Sequence, residues 1–147
     1  MNQDLVTLVC TFRVGSLVCG VPLRHVQEIT GELPMTPMPL APEVVIGLID
    51  LRGQVVTVLD SRRRLGLPVR PEPSFSCHLV IRRGDGVISL LVEEVCDVVE
   101  TTNSAIMPPP QTLGAHARQF VSGVLESEDA LVLMLDIDAV TALESRS

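Results

Sequence analysis

Short apolar runs that alternate with polar residues, and that end at Gly, Pro or Asp, constrain the fold of this chain most. Four stretches read as pairs of such runs around a turn: LVTLVCTFRVGSLVCGV, VIGLIDLRGQVVTVLD, FSCHLVIRRGDGVISLLV and FVSGVLESEDALVLMLD. A period of two residues with glycine at the turn is typical of β-hairpins. Short helices are predicted only between or after the strands, at Pro22–Val26, Pro42–Val45, Asp60–Leu65 and Asp138–Leu143. The chain is therefore predicted to be all-β with short helices.

The chain also resembles itself. Residues 12–29 align without a gap on residues 81–98, and residues 46–60 align on residues 122–136. The matches include Gly15 with Gly84 and Gly47 with Gly123, at turns and strand ends where backbone geometry is most demanding. Each half would consist of a hairpin, a proline-containing connection and a second hairpin.

Several strands, VVTVL, VISLLV and LVLML, are apolar on both faces, so both faces must be covered. Two small barrels packed over a shared hydrophobic seam satisfy this requirement and close the sheet edges. We predict a single domain over residues 1–147, with lobes at about 5–65 and 75–143 whose terminal strands could intertwine. A barrel of about 60 residues alone would be marginal in stability.

Composition argues against two classes of partner. The net charge of −7 opposes a phosphate backbone, and with no Trp or Tyr and 3 Phe there is little for bases to stack on. No apolar run approaches the roughly 18 residues that span a bilayer, and no basic leader precedes the first apolar segment. We expect a cytoplasmic protein with no nucleic-acid partner and no direct membrane insertion.

The sequence offers little for catalysis. The 4 Cys form no C-x-x-C pair, and the 3 His are far apart, so no metal and no cofactor is expected. Carboxylate pairs exist, among them Asp136 with Asp138, but no His, Lys or ligand cluster accompanies them. A small carboxylate- or metal-dependent hydrolase stays open as an alternative of another class, with a flat metal titration as the outcome against it.

All 11 basic residues are Arg. Arg62, Arg63 and Arg64 follow a predicted N-cap, Asp60, and are interpreted as a solvated helix face rather than an anion site. Arg52, in the turn of IDLRGQVV, is harder to explain, because Asn or Asp would suit a tight turn beside glycine better. Two interpretations stay open: an exposed arginine of no consequence, or a guanidinium that pairs with Glu28 on a rigid surface.

Three segments, VGSLVCGVPLRHVQEI, MPLAPEVVIGLIDLRGQVVTVLDSRRRLGLP and LLVEEVCDVVE, resemble the CheW chemotaxis coupling protein family over about Leu5 to Leu143. The L-R-G core with its upstream glycine is the most specific part. The resemblance implies two SH3-like five-stranded barrels and no catalytic activity. It also implies partners, namely the regulatory domain of a CheA-type histidine kinase and the cytoplasmic tip of a chemoreceptor, and recruitment to membrane receptor arrays.

By motif position, the resemblance assigns partner binding to Val26, Glu28, Gly47, Arg52 and Gly53. Exposed apolar side chains are expected around Val26 and the seam between the barrels. The chain has Asp50 where the family usually has Asn, and this carboxylate could compete with Glu28 for the guanidinium. An adaptor of a CheA-type pathway that controls surface motility or gene expression is the alternative in the same class.

Overall fold

The computed structural model describes residues 5–68, 76–128 and 130–143. Residues 1–4 and 144–147, at the ends of the predicted domain, and residue 75, at the start of the second predicted lobe, lie outside the described residues. The strands are β1 (Val6–Val14), β2 (Leu17–Pro22), β3 (Val26–Gly31), β4 (Val45–Leu51), β5 (Gln54–Asp60), β6 (Cys77–Arg83), β7 (Gly86–Val92), β8 (Glu94–Thr102), β9 (Ile106–Met107), β10 (Val121–Glu126) and β11 (Leu131–Leu135). The α-helices are α1 (Ser61–Leu65), α2 (Ala115–Arg118) and α3 (Ile137–Val140), with 3-10 turns at Leu23–His25 and Asn103–Ala105. None of the helices in these ranges is long and apolar enough to cross a membrane.

All four predicted hairpins form, as β1–β2, β4–β5, β6–β7 and β10–β11, each antiparallel. Helix α1 begins after Asp60, whose carboxylate accepts from the amides of Arg62 and Arg63, and it ends at Gly66. The helix predicted at Pro42–Val45 is wrong: that segment makes a turn closed by a hydrogen bond from Val45 N to the Pro42 carbonyl. The sequence patterns also missed α2.

The strands form two mixed sheets, each an SH3-like barrel. One has six strands in the order β8-β1-β2-β11-β10-β9, and the other has five in the order β3-β6-β7-β5-β4. The sixth strand is the two-residue β9, which pairs with β10 and takes that barrel beyond the predicted five strands. Parallel pairing joins β2 to β11 and β5 to β7.

The barrels do not coincide with the predicted lobes 5–65 and 75–143, because each sheet takes strands from both halves of the chain. Hairpin β1–β2 pairs with strands that follow residue 93, while β6–β7 pairs with β3 and β5. The hairpins themselves are set by local pattern, but their neighbours are set by long-range packing. The two halves thus exchange their first hairpins.

The internal repeat has a structural counterpart. Under the sequence alignment, β1, β2, β8, β10 and β11 correspond to β6, β7, β3, β4 and β5, and the strand order is then the same in both sheets. Register shifts recur at corresponding places, between Val45 and Gly47 and between Val121 and Gly123. The two barrels are related as pseudo-symmetric copies.

The core explains the strands that are apolar on both faces. The largest buried cluster, which we call the seam, joins side chains of both sheets, such as Phe12 and Leu59. A second cluster, with Val56 and Val58, fills the five-stranded barrel, and a third, with Val132, fills the six-stranded barrel. On β5, Val56 and Val58 lie inside the barrel and Leu59 lies in the seam, as predicted, but Val55 at the hairpin end is 68% exposed.

An ionic cluster also joins the barrels. Arg62 Nε lies 2.6 Å from Glu93 Oε1, with 19% and 11% of the two side chains exposed. The same carboxylate accepts from the Gly15 amide in the β1–β2 turn at 2.6 Å. Arg64 lies over the Phe120 ring, 5.3 Å from its centroid. The interpretation of Arg62–Arg64 as a solvated helix face is therefore wrong for Arg62 and Arg64, which neighbouring segments cover, while Arg63 is exposed.

Candidate functional site

The β4–β5 hairpin ends in a two-residue turn made by Arg52 and Gly53, with Leu51 and Gln54 as the flanking pair. Both turn residues have left-handed backbone, with φ of 54° at Arg52 and 85° at Gly53. Positive φ at both positions is the signature of a type I′ turn, whose twist suits a hairpin. Glycine adopts it freely, but an arginine there costs roughly 1–2 kcal/mol.

The Arg52 side chain reaches across the open part of the five-stranded sheet. It is 79% exposed, and its Nη2 donates to Glu28 Oε2 at 3.0 Å. Glu28 lies on β3, while Arg52 follows β4, and these are the two edge strands of the sheet. The ion pair therefore links the two edges, although an exposed pair of this kind contributes at most about 1 kcal/mol.

Asp50 does not compete for the guanidinium. Its Oδ1 accepts from the Gly53 amide at 2.8 Å, so the carboxylate closes the turn from inside. Aspartate is suited to this contact because its short side chain hydrogen-bonds to backbone a few residues ahead. Asp50 stabilises the turn and leaves Arg52 to Glu28.

Gly47 lies on β4 under the segment between β3 and β4, residues 32–44, which we call the connector. A Cβ atom at Gly47 would lie 2.9 Å from the Thr36 carbonyl oxygen and 3.3 Å from Met35 Cβ. Thr36 and Leu48 exchange two backbone hydrogen bonds, each of 2.8 Å. Gly47 therefore allows the connector to lie close against β4.

Of the apolar side chains around Val26, Ile29 on the same strand is 45% exposed, but Val26 itself is not exposed. It is half-buried at the start of β3, where its side chain packs against the seam. Its carbonyl accepts from Arg82 Nη1 at 3.3 Å. The exposed apolar residue near the turn is Val55, with 68% exposure and opposite Asp50 in the register. Sequence reasoning missed Val55 because both faces of its run, VVTVL, were predicted to be covered.

The structure thus brings together Glu28, Arg52 and Gly53, and it adds Val55 beside them. We call these four residues the hairpin-tip surface. Gly47 supports this surface from within β4, and Val26 lies at the beginning of the strand that carries Glu28. A rigid β-scaffold displays both a guanidinium and an apolar side chain here.

Two carboxylates that belong to the pairs considered for catalysis, Asp136 and Glu94, have structural contacts. Asp136 accepts from the Ala139 amide at 3.2 Å and caps α3. Glu94 lies 3.2 Å from Arg13 Nη1. Among the described residues, no group of three His, Cys, Asp or Glu side chains is placed to hold a metal ion.

Paired SH3-like barrels with an exposed, rigid hairpin tip define a scaffold for protein contacts. The CheW-like domain model matches residues 8–145, and the chain belongs to this family. This membership agrees with the resemblance seen in the sequence and supports a chemotaxis coupling adaptor.

Similar proteins support this assignment. The chain is 35% identical over 135 residues to "Chemotaxis protein CheW" of Rhizobium meliloti (strain 1021), covering 92% of this chain and 87% of that protein. It is 33% identical over 133 residues to "Probable chemotaxis protein CheW" of Rhizobium etli, covering 88% and 83%. The crystal structure of scaffolding protein TtCheW from Thermoanaerobacter tengcongensis superposes with a TM-score of 0.79, at 24% identity and 90% coverage of each chain, and shows the same fold.

Proposed function

We propose that this chain is a non-enzymatic adaptor that couples membrane chemoreceptors to a CheA-type histidine kinase. Its partners would be the regulatory domain of the kinase and the cytoplasmic tip of a receptor, and it would work in the cytoplasm at receptor arrays. Membership of the CheW-like family and the names of its relatives support a role in chemotaxis. The two partners and the location follow from the resemblance and are part of the proposal.

The left-handed backbone conformation of Arg52 is the observation that best supports a partner-binding site at this turn. An arginine held in left-handed backbone and 79% exposed does not repay that conformational cost through its exposed ion pair. Strain of this kind collects where a side chain must be presented in one orientation. We assign Arg52, Gly53 and Glu28 to direct contact, and Gly47 and Val26 to the support of that surface.

The test is a calorimetric titration of the chain with the regulatory domain of a CheA-type kinase, repeated with receptor tip fragments. Arg52→Ala should weaken binding of at least one partner by about tenfold or more, the usual effect of losing a charged contact at an interface. The variant should remain folded, because the side chain is mostly in solvent.

Glu128→Ala provides the matched control. Glu128 is exposed and occupies the position of Arg52 in the sequence repeat, between β10 and β11 of the other barrel. Its replacement should leave both affinities nearly unchanged. Equal affinities for the parent and a folded Arg52→Ala variant with every partner would contradict the assignment of Arg52.

A further inference from the structure

His78 is a buried histidine with defined hydrogen-bond partners. It lies on β6 with 0% exposure, its Nδ1 is 2.9 Å from Ser89 Oγ, and its Nε2 is 3.3 Å from the Leu33 amide. A backbone N–H can only donate, so Nε2 must be the acceptor and cannot carry a proton. The imidazole is therefore neutral with its proton on Nδ1, which donates to Ser89.

The fold itself does not require a polar pair at this place. In the other barrel, the repeat puts Val9 at the position of His78 and Gly20 at the position of Ser89. Val9 is also fully buried, and it packs with Val132 and Met134 in an apolar cluster. Because burying imidazole and hydroxyl groups costs free energy that apolar residues avoid, the pair must be explained by what it binds.

What the pair binds is the connector. In the six-stranded barrel, the corresponding segment forms a true strand, β9, which pairs Ile106 and Met107 with β10. In the five-stranded barrel, the connector makes an isolated bridge between Thr36 and Leu48. The hydrogen bond from Leu33 to His78 holds the connector three residues before that bridge. The bridge itself lies against Gly47.

We propose that His78 is a positioning residue for the hairpin-tip surface: neutral His78 holds Leu33, and with it the connector, against β4, and protonation of His78 releases them. Once Nε2 carries a proton, two donors face each other and the hydrogen bond is lost. The consequence for partner binding rests on the proposed function, whereas the movement of the connector does not.

The surroundings of His78 define the pH range. Burial lowers the pKa of His78, and the carboxylate of Glu32, at the start of the connector, raises it by a smaller amount. Ser89 and Leu91 face it from β7 and Thr30 from β3, and all three are uncharged. The release is therefore expected below pH 6.5, the ordinary value for histidine.

The first experiment is amide hydrogen exchange by NMR on the whole chain between pH 7.5 and pH 5. After correction for intrinsic exchange, exchange at Leu33 and Thr36 should accelerate by about fivefold or more as His78 is protonated, the factor for one hydrogen bond. Met107 and Val124, the corresponding pair in the other barrel, should show no such step. A flat profile at Leu33 would overturn the proposal.

A double variant, His78→Val with Ser89→Gly, copies the residues of the other barrel and removes the acceptor. Exchange at Leu33 should then be fast at every pH, and the step should disappear. A step that persists in this variant would contradict the role of His78. If the variant does not fold, the ring nitrogen shifts of His78 in the parent decide: a proton on Nδ1 at pH 7.5 supports the proposal, and a proton on Nε2 overturns it.

The effect of His78 on partner binding is measured separately from hydrogen exchange. Affinity for the kinase regulatory domain or the receptor tip should fall between pH 7 and pH 5 in the parent and be insensitive to this step in the double variant. A parent that binds neither partner at pH 7.5 contradicts the proposed function, while the exchange result still decides whether His78 holds the connector.

Discussion

At the scale of single residues, a substitution at Arg52 that suits its left-handed backbone can distinguish a role of this side chain in stability from a role in binding. Arg52→Asn places a residue that tolerates positive φ in the same turn, and it loses only a mostly exposed ion pair. Urea unfolding should therefore show a stability equal to that of the parent or higher by up to about 1 kcal/mol, while partner binding weakens. A loss of more than about 1 kcal/mol would mean that the arginine braces the fold.

Gly47 offers a second test at this scale. In Gly47→Ala the new methyl group would meet the Thr36 carbonyl oxygen at 2.9 Å, and the connector would have to move. Thermal or urea unfolding should show a loss of about 1–3 kcal/mol, the usual cost of overpacking.

Gly123→Ala is the matched control, because Gly123 has the same place in the other barrel and its Cβ would lie 2.6 Å from Ile106 Cγ2. Both variants should lose stability, but only Gly47→Ala should also weaken partner binding. Equal affinities for the two variants would show that the position of the connector does not affect partner binding.

Stability should depend on pH through His78. Its pKa is lowered in the folded protein by burial, so between that value and about 6.5 the unfolded chain binds the extra proton. The contribution of neutral His78 to the free energy of unfolding is therefore fully present above pH 6.5 and decreases as the pH falls toward the folded-state pKa. Burial also lowers the pKa of His25, which contributes in the same direction.

Chemical denaturation of the parent and of the His78→Val, Ser89→Gly variant from pH 7.5 to pH 5 isolates the part due to His78. The parent should lose more stability over this range than the variant. Parallel curves for the two proteins would show that protonation of His78 does not oppose folding.

Single residues also show the limits of sequence reasoning. The pairing of Arg52 with Glu28 was one of two open interpretations, and it depended on a motif rather than on periodicity. Asp50 binds the Gly53 amide rather than Arg52 because of the turn type, which is visible only in the backbone angles. The half-burial of Val26 was not predictable, because the sequence does not reveal that β3 borders the seam.

At the scale of elements, the contact between α1 and the β1–β2 turn depends on Glu93. Glu93→Gln removes the charge opposite Arg62 where the two side chains are 19% and 11% exposed. Glutamine can still accept a hydrogen bond, but leaving a largely buried guanidinium without its counter-charge should cost about 2–4 kcal/mol. The measurement is urea unfolding at pH 7.

The neighbouring glutamate is the control for this change. Glu94 pairs with Arg13, but its side chain is 56% exposed, so Glu94→Gln should cost less than about 0.5 kcal/mol. Similar losses in the two variants would show that burial does not decide the strength of these pairs.

The hairpins were predictable because periodicity and turn glycines are local properties. Helix α1 was predictable for the same reason, since an N-cap aspartate and a terminal glycine bracket it. The contacts of its arginines were not, because they depend on segments far away in sequence, such as Glu93 and Ala142. Pro42 indicated a helix start but begins only a turn.

At the scale of the whole molecule, the repeat was visible in the sequence and intertwined terminal strands were left open, but the sequence did not show that the first hairpins are exchanged. Two separate barrels and two exchanged barrels have the same strands, the same turns and the same periodicity. The choice between them lies in which hairpin pairs in parallel with β5 and β11, and no local pattern records this.

The exchange predicts how fragments behave. A chain cut between residues 70 and 71 should give two halves that are each unfolded, because β1–β2 would lack β8 and β11 and β6–β7 would lack β3 and β5. Mixed together, they should recover the circular dichroism and the amide spectrum of the parent. A half that folds alone would contradict the dependence of each barrel on both halves.

The exchange also sets an order of events on the ribosome. Val6 pairs with Thr102, and β2 pairs with β11, so the β1–β2 hairpin cannot be completed until β11 has been synthesised. At about 5–20 residues per second, this hairpin waits on the order of ten seconds with its apolar face uncovered. The five-stranded barrel, complete once β7 has emerged, is the first surface available to shelter it.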